Sequence, residues 1–207
     1  MIYLIGGSPR GGKSILSRKL SKKLDLPYIS TDNIRPIVMP YFKGKDKFKK
    51  FPFEKMFDLA AIDKYFLNYT GRQILNADLK EARTIWPGVK KLISYLLECK
   101  MDYIIEGVHL LPNLVKEFKD NRNVKIIFLT KLDEEKIFSG ILKNKNSSKE
   151  WILNNIKDKN IIRLAAKSIC AYGVYFIRET KKYRFKCFNT ENNFHSQLDK
   201  AVRFLTN

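Results

Sequence analysis

The sequence predicts a three-layer α/β domain, a five-stranded parallel sheet with helices on both faces. Three observations carry that expectation. Short apolar runs alternate along the chain with longer segments whose apolar residues recur at helical spacing, the pattern of a parallel sheet wrapped on both sides. The first apolar run passes straight into Gly7-Ser-Pro-Arg-Gly-Gly-Lys-Ser14, the spacing G-x-x-x-x-G-K-[ST], and then into an amphipathic helix. Two later apolar runs lead directly to carboxylates, Asp32 and Glu106, at the strand ends where parallel sheets bind their ligands.

In order, the elements read as strand 2–6, helix 13–24, strand 28–30, helix 33–39, a helical stretch 54–69, helix 88–99 and strand 103–106. Strand 124–130, helix 133–143, helix 149–180 broken near Asn160, strand 184–188 and helix 192–205 complete the set. Val89, Leu92, Ile93, Leu96 and Leu97 mark the core stripe of one helix; Phe194, Leu198, Val202 and Leu205 mark that of the last. Ser147 and Glu150 form a capping-box pattern ahead of Trp151. About 70 residues separate the second and third strands, more than one crossover helix requires. A helical, acceptor-binding insertion is therefore expected at about 40–85 within a single domain of residues 1–207, with a lid at about 131–165.

The glycine-rich loop carries specific chemistry. Gly7, Ser8, Arg10, Gly11, Gly12, Lys13, Ser14 and Ile15 form the expected nucleotide-binding set. Backbone N–H groups and a helix N-terminus cradle phosphate, Lys13 reaches the β/γ-phosphates, and Ser14 offers a hydroxyl to Mg²⁺. The loop predicts a nucleoside triphosphate with magnesium.

Asp32, just past the second strand, is placed to orient an acceptor hydroxyl or take its proton, and Arg35, one turn on, to grip an anionic group of the acceptor. Thr31 or Asp32 also fits a helix cap. Glu106 sits where an acid beside the loop would orient the metal, since hard cations prefer oxygen. His109 is a candidate substrate contact, set against a packing role beside Leu110 and Leu111. Thr130-Lys-Leu-Asp133 matches the guanine-gripping [NT]-K-x-D pattern, but the preceding strand ends in Glu-Gly-Val-His rather than D-x-x-G, so Asp133 reads as the cap of the helix at Glu134.

Composition bounds the partners. The 207 residues are 44% hydrophobic and carry a formal charge of +19. The lysine excess is spread along the chain, with one dense run at Lys43–Lys50, so attraction for small anions is expected ahead of nucleic acid. No apolar stretch approaches the length of a membrane span and no secretory pattern opens the chain, which predicts a cytoplasmic protein without a membrane partner. Cys99, Cys170 and Cys187 read as reduced core thiols.

Leu4–Ser14, Ile29-Ser-Thr-Asp-Asn-Ile-Arg35 and Ile104-Ile-Glu-Gly-Val-His-Leu-Leu-Pro112 together resemble the kinase domain of the 2-phosphoglycerate kinase family, within the nucleoside-monophosphate-kinase-like phosphotransferases that share this loop. The resemblance implies strand order 2-3-1-4-5, ATP with Mg²⁺, and phosphoryl transfer to a small, anionic acceptor. It implies catalytic roles for Lys13, Asp32 and Glu106, metal binding by Ser14 and Glu106, and acceptor binding by Asp32, Arg35 and His109. Such kinases carry an arginine-rich lid, whereas residues 131–145 contain lysines and no arginine, leaving Arg163 or Arg178 to reach the nucleotide. A nucleoside or nucleotide kinase, with a base-stacking pocket around Phe51–Tyr69, is the alternative within enzymes; a nucleic-acid-linked ATPase or 5′-end kinase is the alternative outside small-molecule chemistry.

Overall fold

The computed structural model describes residues 1–58, 61–143 and 151–207. Its sheet is all parallel in the order β2-β3-β1-β4-β5, formed by Tyr28–Ser30, Tyr103–Glu106, Ile2–Gly7, Val124–Thr130 and Lys186–Asn189. This is the expected order 2-3-1-4-5. All six residues of β1 are buried, as a central strand covered on both faces requires.

One sheet face packs on α1 (Lys13–Leu24) and α11 (Phe194–Thr206), with Ile5, Leu16, Leu20, Leu198 and Leu205 in a single apolar cluster. The larger core lies on the other face, beneath α6 (Gly71–Glu98) and α10 (Lys159–Tyr183). Between β2 and α6 the chain forms α2 (Thr31–Val38), α3 (Gly44–Lys50), α4 (Phe53–Met56) and α5 (Ile62–Asn68). After β3 comes α7 (Pro112–Val115), and after β4 come α8 (Glu134–Lys143) and α9 (Trp151–Asn155).

Three helix expectations require correction. Helix 88–99 is only the end of α6, which runs 28 residues from Gly71 and contains Pro87. Proline removes one ladder bond and clashes with the preceding turn, but Ile74, Ile85, Val89 and Ile93 on one face are buried and hold the helix through it. A capping box starts α6: the Gln73 amide N–H donates to Thr70 Oγ1 at 3.3 Å, and the Thr70 N–H donates to Gln73 Oε1 at 2.9 Å. The stretch 54–69 is two short helices, α4 and α5, rather than one. The helix expected from 33 begins at Thr31, capped by neither Thr31 nor Asp32 but by Ser30, whose hydroxyl accepts from the Asp32 N–H at 3.2 Å.

The expected break near Asn160 is present, with Asp158 capping α10 through the Asn160 N–H at 2.7 Å. The Ser147–Glu150 pattern lies outside the described residues. Cys170 and Cys187 are half-buried, but Cys99, at the C-cap of α6, is exposed and not a core thiol. No helix among the described residues is long and apolar enough to cross a membrane.

Candidate active site

The loop from Gly7 to Ser14 joins β1 to α1, and its shape follows from what crowds it. Gly7 has φ +130°, and a Cβ there would lie 1.9 Å from the Leu129 carbonyl oxygen. Gly12, φ +101°, would press a Cβ to 2.9 Å from the Phe194 ring. Only glycine satisfies both the positive φ and the close approach. Buried Ser8 ties the loop to β4: its N–H donates to Leu129 O at 3.0 Å, and its hydroxyl accepts from the Lys131 N–H at 3.3 Å. Arg10 adopts φ +59° and reaches the Gly140 carbonyl at 3.4 Å.

Lys13 is buried and donates through Nζ to the Ser8 carbonyl at 2.8 Å. Burial pulls its pKa down, while Glu106, Asp32 and Asp78 pull it up. Ser14 Oγ donates to Glu106 Oε1 at 2.9 Å, joining loop and β3 across the sheet. Burial raises the Glu106 carboxyl pKa, offset in part by the Lys13 charge and the Ser14 hydrogen bond. Parallel register explains the meeting, since Glu106 pairs with Ile5 in β1 and with Ser30 in β2.

Asp32 stands at this edge with its side chain 68% exposed, 3.5 Å from His109 Nδ1. His109 is only 4% exposed, and its Nδ1 lies 3.0 Å from Thr31 Oγ1. Burial pulls the imidazole pKa down to about 4, with Asp32 opposing, so near neutral pH the ring is uncharged and its contact with Asp32 is not an ion pair. Gly107, φ +154°, lets this segment close on α2, for a Cβ there would sit 1.7 Å from Thr31 Oγ1.

Arg35 is occupied by the protein itself. Its Nε donates to Glu81 Oε2 at 2.6 Å and an NH2 to Glu54 Oε1 at 2.9 Å, with the guanidinium 5.5 Å from the Phe53 ring centroid. Burial works against its charge, but the two carboxylates outweigh burial and hold its pKa up. Glu81, fully buried, also accepts from the Phe53 N–H at 2.7 Å. Lys47, from the lysine run, lies 3.2 Å from the other oxygen of Glu54. Beside them half-buried Asp78 accepts from the Tyr172 hydroxyl. Burial pushes the Asp78 pKa up to about 7; the Tyr172 hydrogen bond opposes this, and Glu81 and Asp32 add to it.

A cavity of about 580 Å³ opens on the loop, lined by Arg10, Lys13, Ser14, Arg18, Lys131 and His195 among others. Ile15, 44% exposed, also lines it. Arg163 is absent from its lining; that side chain pairs with Glu135 and lies 4.4 Å over the Phe138 ring, packing α10 on α8. Arg178 lines a different cavity of about 640 Å³ between α6 and α10, which shares no lining residue with the loop cavity. The decoy Asp133 caps α8, accepting from the Lys136 N–H at 3.0 Å.

Sequence reasoning missed Arg18 and His195, which line the loop cavity. Arg18 lies one turn beyond Ser14 on α1 and was legible in principle. Phe194, read as core, lines the loop cavity and lies with its ring centroid 5.0 Å from Lys131 Nζ. Ser14 and Glu106 give hard oxygen donors, the set Mg²⁺ takes when phosphate oxygens and water complete its shell. The described residues contain no cluster of three or more His, Cys, Asp or Glu able to hold a metal.

No family model matches the chain. It is 26% identical over 119 residues to mevalonate-3-phosphate 5-kinase of Thermoplasma acidophilum, covering 56% of this chain and 54% of that protein. It is 27% identical over 146 residues to 2-phosphoglycerate kinase of Methanocaldococcus jannaschii, covering 65% of this chain and 43% of that protein. The chain thus spans about half the length of the curated relatives it matches. Among solved structures, dephospho-CoA kinase from Campylobacter jejuni superposes over 99% of this chain and 95% of its own, with TM-score 0.50 and 13% identity. The fold is that of phosphate-binding-loop kinases.

Proposed function

We propose that this protein is an ATP- and Mg²⁺-dependent kinase that phosphorylates a hydroxyl of a small molecule held against Asp32. The observation that carries the reading is the junction at three strand ends: buried Lys13 on the loop, the 2.9 Å pair of Ser14 and Glu106, and exposed Asp32 alongside. The similarity to two curated small-molecule kinases supports it.

The chain's residues divide the work. The loop amides and Lys13 hold the phosphates and offset the charge that builds on them. Lys13 is held inside the loop by Ser8, already at hand for a phosphate oxygen. Ser14 and Glu106 would hold the Mg²⁺, which screens phosphate charge. Asp32 orients the acceptor O–H and takes its proton as the acceptor oxygen bonds to the γ-phosphorus and the bond from that phosphorus to the ADP oxygen breaks. Neutral His109, with Thr31, fixes the approach of the Asp32 segment.

The anionic acceptor that the family resemblance implies would be gripped by Arg35 and the lysines of 43–50. Arg35 and Lys47 are instead engaged by Glu54 and Glu81. The test is an acceptor screen with purified protein, γ-labelled ATP and Mg²⁺, with Lys13→Ala as control. Label transfer to a small hydroxyl compound, lost in the control, is the expected result; no Lys13-dependent transfer to any acceptor refutes the reading.

A further inference from the structure

The cavity of about 640 Å³ between α6 and α10 lies outside the proposed active site, and the kinase reading gives it no work. Arg72, Leu75, Asn76, Leu79 and Arg83 follow the helical period on α6, so one face of that helix forms one wall. Ala171, Val174, Tyr175 and Arg178 do the same on α10 and form the other. The helices touch at Gly71, where a Cβ would stand 2.8 Å from the Ser168 Cα, and the cavity runs along both from there. Leu75, Leu79 and Tyr175 are buried and make an apolar floor, while the three arginines stand exposed along the rims.

Three guanidiniums line this cavity against one carboxylate, that of Glu179. Glu179 Oε1 accepts from the Arg178 Nε–H at 3.1 Å, which holds that guanidinium and leaves its two terminal nitrogens to donate elsewhere. Arg72 and Arg83 have no hydrogen-bond or ion-pair partner among the described residues. Counted at equal rise from the contact of Gly71 with Ser168, Arg83 stands level with Thr180, within one turn of Arg178. Two cations therefore share one end of the cavity, where Lys116 and Lys182 also lie, each 5.4 Å from the Tyr183 ring centroid. Arg72 marks the other end, about 16 Å away along α6 at about 1.5 Å per residue. Asn113 of α7 lines the cavity as well, and its Oδ1 has no hydrogen-bond partner. That side chain is half-buried, so a turn about its last bond presents an unpaired group to a hydroxyl in the cavity.

We propose that this cavity is a second binding site, for a small bisphosphorylated polyol. One phosphate lies between Arg83 and Arg178, the other at Arg72, and the carbon skeleton rests over Leu75 and Leu79. The volume is that of a small-molecule site, with an apolar floor and a few polar groups at its edges. Guanidinium forks match phosphate oxygens, and like charges gathered in one cleft are offset by an anion. Arginine side chains reaching inward from both ends shorten the span to that of a small molecule. A single phosphate engages one end only, and an uncharged polyol engages neither. The site shares no lining residue with the loop cavity, so the inference stands apart from the kinase reading.

Isothermal titration calorimetry of the whole chain at low salt reads the site, with fructose 1,6-bisphosphate, glucose 6-phosphate and fructose as probes. Wild type, Arg72→Ala, Arg83→Ala, Arg178→Ala and Lys13→Ala are titrated in parallel. The expected result is one fructose 1,6-bisphosphate per chain, bound about tenfold or more tighter than glucose 6-phosphate, with no heat from fructose. Each arginine variant then weakens the bisphosphate about tenfold or more, and Lys13→Ala leaves it within about twofold. The arginines are exposed, so these variants are expected to fold, and an unchanged thermal midpoint checks each one. Absence of saturable binding, or unchanged affinity in all three arginine variants, overturns the proposal. Loss of binding in Lys13→Ala also overturns it, by placing the bisphosphate in the loop cavity. Equal affinity for the two sugar phosphates overturns the arrangement with a phosphate at each end. None of these outcomes bears on the kinase reading, which the acceptor screen judges separately.

Discussion

The loop between β1 and α1 owes its shape to a few successive residues pressed on the backbone of β4 and the Phe194 ring, whereas the wall of α2, α4 and α6 is held by charged side chains far apart in the chain. Gly7 and Gly12 take their places because Leu129 and Phe194 leave no room for a Cβ, and Ser8 because its N–H and hydroxyl bond to the backbone of Leu129 and Lys131. Arg35, Glu54 and Glu81 take theirs because each answers another's charge. The loop is thus a local motif fitted to one ligand class, and the wall is a set of long-range pairings free to suit different acceptors on the same fold.

The sharpest way to break the comparison is to remove the group standing between the two regions. Asp32→Asn keeps size and backbone while abolishing the base. Phosphoryl transfer is expected to fall about 10²–10⁴-fold, with ATP affinity unchanged because Lys13, Ser14 and the loop amides are untouched. Steady-state rates beside nucleotide titration separate the two effects; normal turnover with the true acceptor makes Asp32 a structural residue only.

Arg35→Ala tests whether the wall is held by charge. Glu81 is fully buried and would lose its nearest cation. Breaking one partner of such a pair costs about 3–5 kcal/mol because the remaining charge stays buried. The thermal midpoint is expected to drop by roughly 10 °C for a chain of this size. Pairing the change with Glu81→Gln should restore part of the loss, since the uncompensated charge goes with it. A midpoint unaffected by Arg35→Ala shows the wall to be held by its aromatic packing instead.

Asp78 makes the stability of the chain depend on pH. Its carboxyl holds a proton up to about pH 7 in the fold against an ordinary value of 3.8. The folded chain therefore binds more protons than the unfolded one between those values, and stability declines as pH rises through that window, with the full cost present above it. Asp78→Asn removes the titration and still accepts from Tyr172. It is expected to stabilise the chain by about 2–4 kcal/mol at pH 8 and to bring no such gain below about pH 4, which denaturant unfolding at the two pH values measures. A gain equal at both values places its origin outside the carboxyl's ionisation.

The same contrast explains what the sequence made legible. Gly7–Ser14 and Glu106 are recognisable because spacing along one strand-to-helix junction, and the end of one apolar run, determine their positions. The sheet order came with the family resemblance rather than with periodicity. The pairing of Asp78 with Tyr172 stayed hidden because no spacing links residues on separate helices, and because Pro87 made α6 look as though it began where its last third does. Arg35 was visible as a cation one turn after Asp32, but its partners Glu54 and Glu81 were not, so its charge looked available to a ligand. His109 stood open between contact and packing, and the closing of Gly107 onto Thr31, which buries it, depends on tertiary fit.

The two long helices that frame the regions begin in opposite ways, and the smallest prediction sharpens that difference. At the start of α1, Gly12 makes no side-chain cap hydrogen bond, and the proposed kinase activity assigns the first-turn N–H groups to phosphate. At the start of α6, Thr70 and Gln73 close a reciprocal box, so that terminus is satisfied by the chain itself. Thr70→Ala is expected to cost about 1 kcal/mol of stability, read as a lower denaturant midpoint at unchanged slope, with ATP affinity unaltered. A loss of ATP affinity in this variant would mean that the start of α6 and the loop are one coupled unit rather than a fixed loop facing an adjustable wall.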